Sequence, residues 1–319
     1  MRKNESSNIL FSQILTYFEG GIAMKILIAG GTGFLGKALT AYLVNCGVEI
    51  NVLSRGKVSR GNVISYYKWD VENGFIDIEA FEGVDAIVNM TGANIGDKRW
   101  TATRKIEIVE SRIKPIELLL TYIKKLNMCI GTFISSSAVG FYGAATSQKI
   151  FNEDDYPGHD FLSSVCKKWE SSALRFNDVA ERVIILRKGV VIGKDGGLYK
   201  KMTPLARMGI NVSMGNGLQF LPWIDIRDLV RLYYFILTES RINGIYNAVS
   251  TQHITMNDFA NYLLSSQNKS SFLPNVPAFL VELLAGELSD MLLYGSRVSN
   301  QKLLDAGFVF SHSNLHDVD

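Results

Sequence analysis

Gly30, Gly33 and Gly36 stand at the spacing G-x-x-G-x-x-G, and Gly31, Gly33 and Gly36 also fit G-x-G-x-x-G. A backbone that turns sharply, approaches a diphosphate closely and lets the next helix pack on the preceding strand needs glycine for each of those three jobs. Both registers put a phosphate at the N-terminus of a helix over about residues 34–46, and spacing alone does not choose between them. Thr32, Phe34 and Leu35 complete the turn. A second chemical feature is Leu53-Ser54-Arg55-Gly56-Lys57. At that point of a dinucleotide site an acid accepts hydrogen bonds from the ribose of NAD, whereas cations receive the extra phosphate of NADP. Arg55 offers a planar fork, Ser54 a hydroxyl and Lys57 a mobile charge, so the reading is NADP (NADPH when reduced), with NAD as the lesser option. Asp70, in Tyr67-Lys68-Trp69-Asp70, reads either as an acceptor for the adenine amino group or as a cap. Thr91-Gly92-Ala93-Asn94 supplies small residues and backbone donors where a bulky side chain would block the nicotinamide ribose.

These groups must be carried to one place by a scaffold. The glycines follow the apolar run 25–29 and open a helix with Leu35, Ala38, Leu39, Tyr42 and Leu43 on one side, which leads to a second strand at 48–53. Apolar runs recur at 85–90, 131–135 and 182–186, each separated from the next by helical periodicity; the longest helix spans about 101–125, with Pro115 marking a break or kink. That alternation predicts an α/β fold, a doubly wound parallel sheet with helices on both faces and all strand C-termini on one edge. From about residue 190 the pattern loosens into glycine loops around a helix at 198–208, and Asp225 and Thr255 read as caps. The division expected is a dinucleotide-binding domain over 24–250 and a smaller, mainly helical C-terminal region over 251–319 on the substrate side. Residues 1–23 read as an extension outside the fold, with Met24 preferred as the translation start over a targeting peptide.

Composition narrows the partners. Lys plus Arg number 33 and Asp plus Glu 31, a balance with no electrostatic footprint for nucleic acid and no polybasic tract for a membrane surface. The expected partner is a small-molecule substrate, and no feature sets an oligomeric state. Cys46, Cys129 and Cys166 are far apart, which suits a reducing, cytoplasmic setting. The four histidines form no metal-ligand spacing, so no metal is expected.

With these residues assembled, the chain resembles the extended branch of the short-chain dehydrogenase/reductase superfamily. It is similar in particular to epimerase family proteins of the YfcH type. The resemblance runs from about residue 24 to 310, carried by the glycine turn, Leu53-Ser54-Arg55, Ser111-Arg112, Ser135-Ser136-Ser137-Ala138-Val139-Gly140-Phe141-Tyr142-Gly143, Lys168-Trp169-Glu170, Leu186-Arg187 and Phe220-Leu221-Pro222-Trp223-Ile224. It implies a Rossmann domain binding NADP, and an oxidoreductase or epimerase acting on an unidentified substrate, with a nucleotide sugar among the candidates. Ser137 matches the superfamily serine that positions a substrate hydroxyl. The superfamily's Tyr-x-x-x-Lys proton carrier is absent: Leu162 and Cys166 fall in its place, or Phe161 and Val165 one register away. A catalytically reduced NADP(H) sensor is therefore the alternative. Tyr142 is the substitute chosen for the proton carrier, with Tyr156, His159 and Cys166 also available. Arg99 and Trp100, in the loop after Asn94, would grip an anion and stack on a ring, and Gln219 and Trp223 would approach from the C-terminal part.

Overall fold

The computed structural model describes residues 24–271 and 273–318, so the reading of residues 1–23 lies outside the described residues. The strands are β1 (Lys25–Ala29), β2 (Glu49–Ser54), β3 (Ile64–Asp70), β4 (Phe75–Ile76), β5 (Ala86–Asn89), β6 (Ile130–Ala138), β7 (Ile150–Phe151), β8 (Ala180–Lys188), β9 (Val190–Gly193), β10 (Trp223–Asp225), β11 (Gly244–Ala248) and β12 (Arg297–Val298). The α-helices are α1 (Phe34–Asn45), α2 (Ala102–Lys125), α3 (Phe161–Leu174), α4 (Gly197–Arg207), α5 (Ile226–Thr238), α6 (Met256–Ser266), α7 (Ala278–Ala285), α8 (Ser289–Leu293) and α9 (Gln301–Asp305).

Eight strands form one sheet in the order β11-β8-β6-β5-β1-β2-β3-β4. All neighbours are parallel except β3 and β4. This is the doubly wound architecture expected. Ile26, Leu27, Ile28 and Ala29 are wholly buried, as a central parallel strand covered on both faces must be. On one face Leu39 and Leu43 of α1 join Leu232 and Ile236 of α5 in a core over the sheet. On the other, Ile116, Leu119 and Ile123 of α2 join Trp169 and Ala173 of α3. The winding reverses between β1 and β5, and a crevice opens beyond the C-termini of strands at such a reversal.

Helix α2 runs through Pro115, which is buried, without a break, at the loss of one ladder bond. Caps set the helix starts near the crevice. Thr101 Oγ1 accepts from Arg104 N at 3.2 Å and Asp160 Oδ1 from Ser163 N at 2.8 Å; the Asp225 side chain accepts from Arg227 N, and Thr255 with Asp258 makes a reciprocal capping box. A third core joins Ile192, Tyr199 and Trp223 to Phe259, Leu263 and Leu315, so the smaller packing unit draws on residues from both sides of position 250.

Two glycines of the turn are required by geometry. Gly30 has φ +89, and a Cβ there would meet the Met90 carbonyl carbon at 2.9 Å. A Cβ on Gly36 would lie 2.3 Å from Gly30 O and 2.5 Å from Gly31 Cα, both backbone atoms with nowhere to move. Gly36→Ala is therefore expected to cost about 1–3 kcal/mol by overpacking, read from urea unfolding. An unchanged midpoint would contradict the close helix–strand approach.

Candidate functional site

The glycine turn leaves β1 and enters α1 with Gly33 as N-cap, and no side chain caps that end and no acid lies in the first turn. Thr32 and Gly33 are exposed, Gly31 and Gly36 buried. The positive end of α1 is thus left for an external anion, and the turn's residues could hold a diphosphate. The Phe34 ring instead covers Gly196, where a Cβ would lie 2.3 Å from Phe34 Cδ2. Leu35 packs against the core beneath the helix.

At the tip of β2, Ser54 Oγ accepts from Lys57 N at 2.9 Å and Gly56 N at 3.3 Å, which shapes the loop that carries Arg55. Arg55 is exposed, and among the described residues no carboxylate pairs with its guanidinium. Lys57 lies over the Tyr66 ring at 3.8 Å. Asp70 acts as a cap: Oδ1 accepts from Glu72 N and Asn73 N, both at 3.1 Å, and Oδ2 from Asn73 Nδ2 at 2.9 Å. Those bonds, the Asn73 side chain first, hold its carboxyl below the usual range. The cap read from the sequence is present at Asp70.

The loop after β5 is pinned from α2. Ala93 N donates to Ser111 Oγ at 2.9 Å, Ala93 O accepts from Arg112 at 3.1 Å, and Asn94 O accepts from Arg104 at 2.5 Å. Thr91 Oγ1 donates to Asn89 Oδ1 at 2.7 Å. Gly92 is exposed above the Arg112 guanidinium, which a Cβ would approach to 3.2 Å.

A cleft of about 290 Å³ opens beside this edge. Its walls are Ala138–Gly140 at the end of β6, Leu162, Val165, Cys166 and Trp169 of α3, Arg112 of α2, Lys188–Val190 at the end of β8, Phe220–Pro222, and Met291, Tyr294–Ser296 and Val298. It is mainly apolar, and among the described residues no Asp or Glu lines it. Arg112 is the first of two cations in it: burial pushes its pKa down to about 10, and its two Nη atoms donate to Ile108 O and Ala93 O. Lys188 is the second, lowered to about 7 by burial and then by the nearby Arg112 charge.

Several expected roles are corrected by this arrangement. Ser137 is 1% exposed, donates to Glu170 Oε1 at 2.6 Å and lies beneath the cleft wall, so its proton is committed to the scaffold. Glu170 is held bidentately by Arg187, Nε to Oε1 and Nη2 to Oε2, both at 2.9 Å. Tyr142 OH donates to Asn247 Oδ1 at 2.7 Å and accepts from Arg187 Nη1 at 3.0 Å; burial pushes the phenol up to about 12, too high for a proton carrier near neutrality. Trp100 is buried against Phe161, its indole donating to Ile95 O at 2.9 Å. Arg99 is exposed and lies against Gly286, outside the cleft lining. Gln219 and Trp223 are buried at 4% and 0%, their side-chain nitrogens donating to backbone carbonyls of Leu292 and Gln252. Between them, Phe220, Leu221 and Pro222 face the cleft instead. Tyr156 and His159 are exposed and do not line it.

The sequence reading missed Arg112 and Lys188 as cleft groups. Their one signal was position: a cation at a buried strand end, and another within α2 on the face that meets the loop after β5.

If Ser137 and Tyr142 belong to the scaffold, Glu170→Ala, which leaves the Arg187 guanidinium buried and unpaired, is expected to destabilise by about 3–5 kcal/mol. Ser137→Ala is expected to cost only about 1 kcal/mol. Chemical denaturation checks both, and equal small effects would contradict the network.

The chain is similar over most of its length to known proteins. The family model for the NAD dependent epimerase/dehydratase family matches residues 26–248, and a domain of unknown function, DUF1731, matches residues 276–318. An epimerase family protein of Mycobacterium leprae is 32% identical over 292 residues, 91% of this chain and 92% of that protein. The human epimerase family protein SDR39U1 is 32% identical over 92% of this chain and 97% of its own length. The crystal structure of human SDR39U1 isoform 2 with NADPH superimposes with a TM-score of 0.81 at 30% identity, covering 92% of this chain and 97% of that one. The chain belongs to the NAD dependent epimerase/dehydratase family.

Proposed function

We propose that the chain is an NADP(H)-dependent oxidoreductase or epimerase of the extended short-chain dehydrogenase type, which acts on a small substrate held in the apolar cleft. The observation that carries this reading is convergence on one sheet edge. An uncapped helix start behind a turn with no room for Cβ, a guanidinium without a carboxylate partner at the tip of β2, and the cleft at the end of β6 lie in the order in which a dinucleotide presents its diphosphate, its ribose phosphate and its nicotinamide. That the human relative was solved with NADPH supports the choice of cofactor.

The residues present fit the group. The turn 30–36 would hold the diphosphate through backbone amides, Arg55 the ribose phosphate, and the loop 91–94, kept small and pinned from α2, would admit the nicotinamide ribose. Bound there, the nicotinamide supplies hydride transfer at its C4. The chain's own contribution is to orient a carbinol or carbonyl carbon and to exclude water: Leu162, Val165, Leu221 and Pro222 wall the cleft. A small organic molecule suits a cleft of this size better than a complete nucleotide sugar. We place the protein in the reducing cytoplasm, in keeping with three free cysteines, and assign it no nucleic-acid or membrane partner; among the described residues no helix is long and apolar enough to cross a membrane.

One observation favours a second reading, an NADP(H) sensor with little turnover. Leu162 and Cys166 line the cleft where the superfamily has its tyrosine and lysine, and burial pushes the Cys166 thiol up to about 12, which keeps it protonated. Following the reduced-nicotinamide absorbance of protein loaded with NADPH, over a panel of carbonyl compounds and nucleotide sugars, separates the two: oxidation of NADPH supports the enzyme, and tight binding without oxidation on any of them supports the sensor. For the cofactor itself, Arg55→Ala is expected to weaken NADPH by roughly 10–100-fold, the worth of one charged hydrogen-bonding group, and to leave NADH nearly unchanged. Equal losses for the two dinucleotides in a fluorescence titration would reject the phosphate role.

A further inference from the structure

Hydride transfer to or from a carbinol carbon leaves one role unassigned, that of the group exchanging a proton with the substrate oxygen. Cys166 donates its thiol to Ala138 O at 3.6 Å and stays protonated, Tyr142 is locked beneath the cleft, and Tyr156 and His159 stand outside it. We propose that Lys188 is the proton-transfer residue of this cleft, serving a small carbonyl or carbinol compound with an apolar body. The assignment rests on the oxidoreductase reading above.

Lys188 is the last residue of β8 and lines the cleft. Adjacent strand residues point to opposite faces, so Arg187 turns to Glu170 on α3 while Lys188 turns to Ser136. Its Nζ donates to Ser136 Oγ at 2.8 Å, and Ser136 Oγ is 3.2 Å from Tyr233 OH on α5. Ser136 is therefore a positioning residue, fixed from behind by a wholly buried phenol. An ammonium has three donors, and this contact uses one. No Asp or Glu among the described residues pairs with the amine. The titratable groups that share the cleft with it are Arg112 from α2, Cys166 from α3 and Tyr294 beyond α8. Burial in an apolar cleft beside a second cation is the environment that brings a lysine into the range of an acid–base group, and here it lowers the amine to about 7.

In the reduction, the carbonyl carbon accepts the hydride that the reduced nicotinamide supplies, and the C=O π pair moves onto oxygen. That oxygen takes a proton from Lys188 Nζ. The products are the carbinol, the oxidised nicotinamide and a neutral amine, which regains its proton from solvent once the product has left; oxidation of a carbinol runs the same exchange in reverse.

Lys188→Arg and Lys188→Met test this. Arginine keeps the charge and a donor toward Ser136 but does not release its proton near neutrality. Both variants are expected to bind NADPH and to lose turnover by roughly 10²–10⁴-fold, the worth of general acid–base catalysis. Only the ammonium can donate, so the wild-type reduction rate is expected to fall as pH rises through the amine's pKa, and that limb is expected to vanish in Lys188→Arg. A readout independent of turnover is limiting acetic anhydride on the cofactor-free protein near neutral pH, followed by peptide mass spectrometry: Lys188 is expected to be acetylated ahead of the other lysines. Lys188→Arg turning over like wild type, or Lys188 labelled no faster than the rest, overturns the assignment alone. Wild-type protein that binds NADPH but reduces no member of the panel overturns the oxidoreductase reading and this assignment with it.

Discussion

The Glu170–Arg187 pair is the interaction on which the site's shape depends. A carboxylate and a guanidinium, 6% and 3% exposed, meet in a bidentate contact between α3 and the end of β8. Taking both ions out of water is costly, so such a pair persists only when its remaining hydrogen bonds are satisfied. Here Ser137 donates to one carboxylate oxygen, Tyr142 accepts from Arg187 and donates its own hydrogen bond to Asn247 Oδ1, and the Arg187 guanidinium stacks 3.4 Å from the Phe141 ring centroid. One network joins β6, α3, β8 and β11, and it fixes the distance between the cleft wall on α3 and the strand ends that face it.

That commitment changes which residues are left for chemistry. In a cleft whose serine and tyrosine have been drawn into the scaffold, reactivity falls to groups one position along each strand. Ser136 precedes Ser137 and Lys188 follows Arg187, and by strand alternation both point to the opposite face from the network. The electrostatics are one-sided as well. Arg112 and Lys188 share the cleft, and no carboxylate balances them among the described residues. The cleft thus favours a substrate that brings electron density of its own, such as a carbonyl oxygen, and favours the neutral form of the more easily deprotonated cation.

Much of the fold was legible in the sequence, because it rests on local signals that tertiary structure reinforces. The 25–29 run, the glycine offsets and the alternation of apolar runs with helical periodicity led to the parallel sheet and its C-terminal edge. Capping at Asp225 and Thr255 follows the same local rules. The cleft was far less legible. Whether Trp223 or Pro222 faces a ligand depends on how β10 sits on β9, which no periodicity over three residues can encode. Pairing of Ser137 with Glu170, 33 positions away, and of Tyr142 with Asn247, 105 positions away, is a matter of strand register. Family likeness pointed to Ser137 by position, and only the packing of α3 reveals that its hydroxyl is taken.

The central claim is that the glycine turn, Arg55 and the apolar cleft form one continuous NADP(H) site along the sheet edge. A crystal structure of the protein grown with NADPH tests it most directly. The account predicts density with the diphosphate over residues 30–36, the ribose phosphate at Arg55 and the nicotinamide beside 138–140 with Lys188 across from it. Density for the dinucleotide elsewhere on the chain, or none at concentrations that load a reductase, would contradict it.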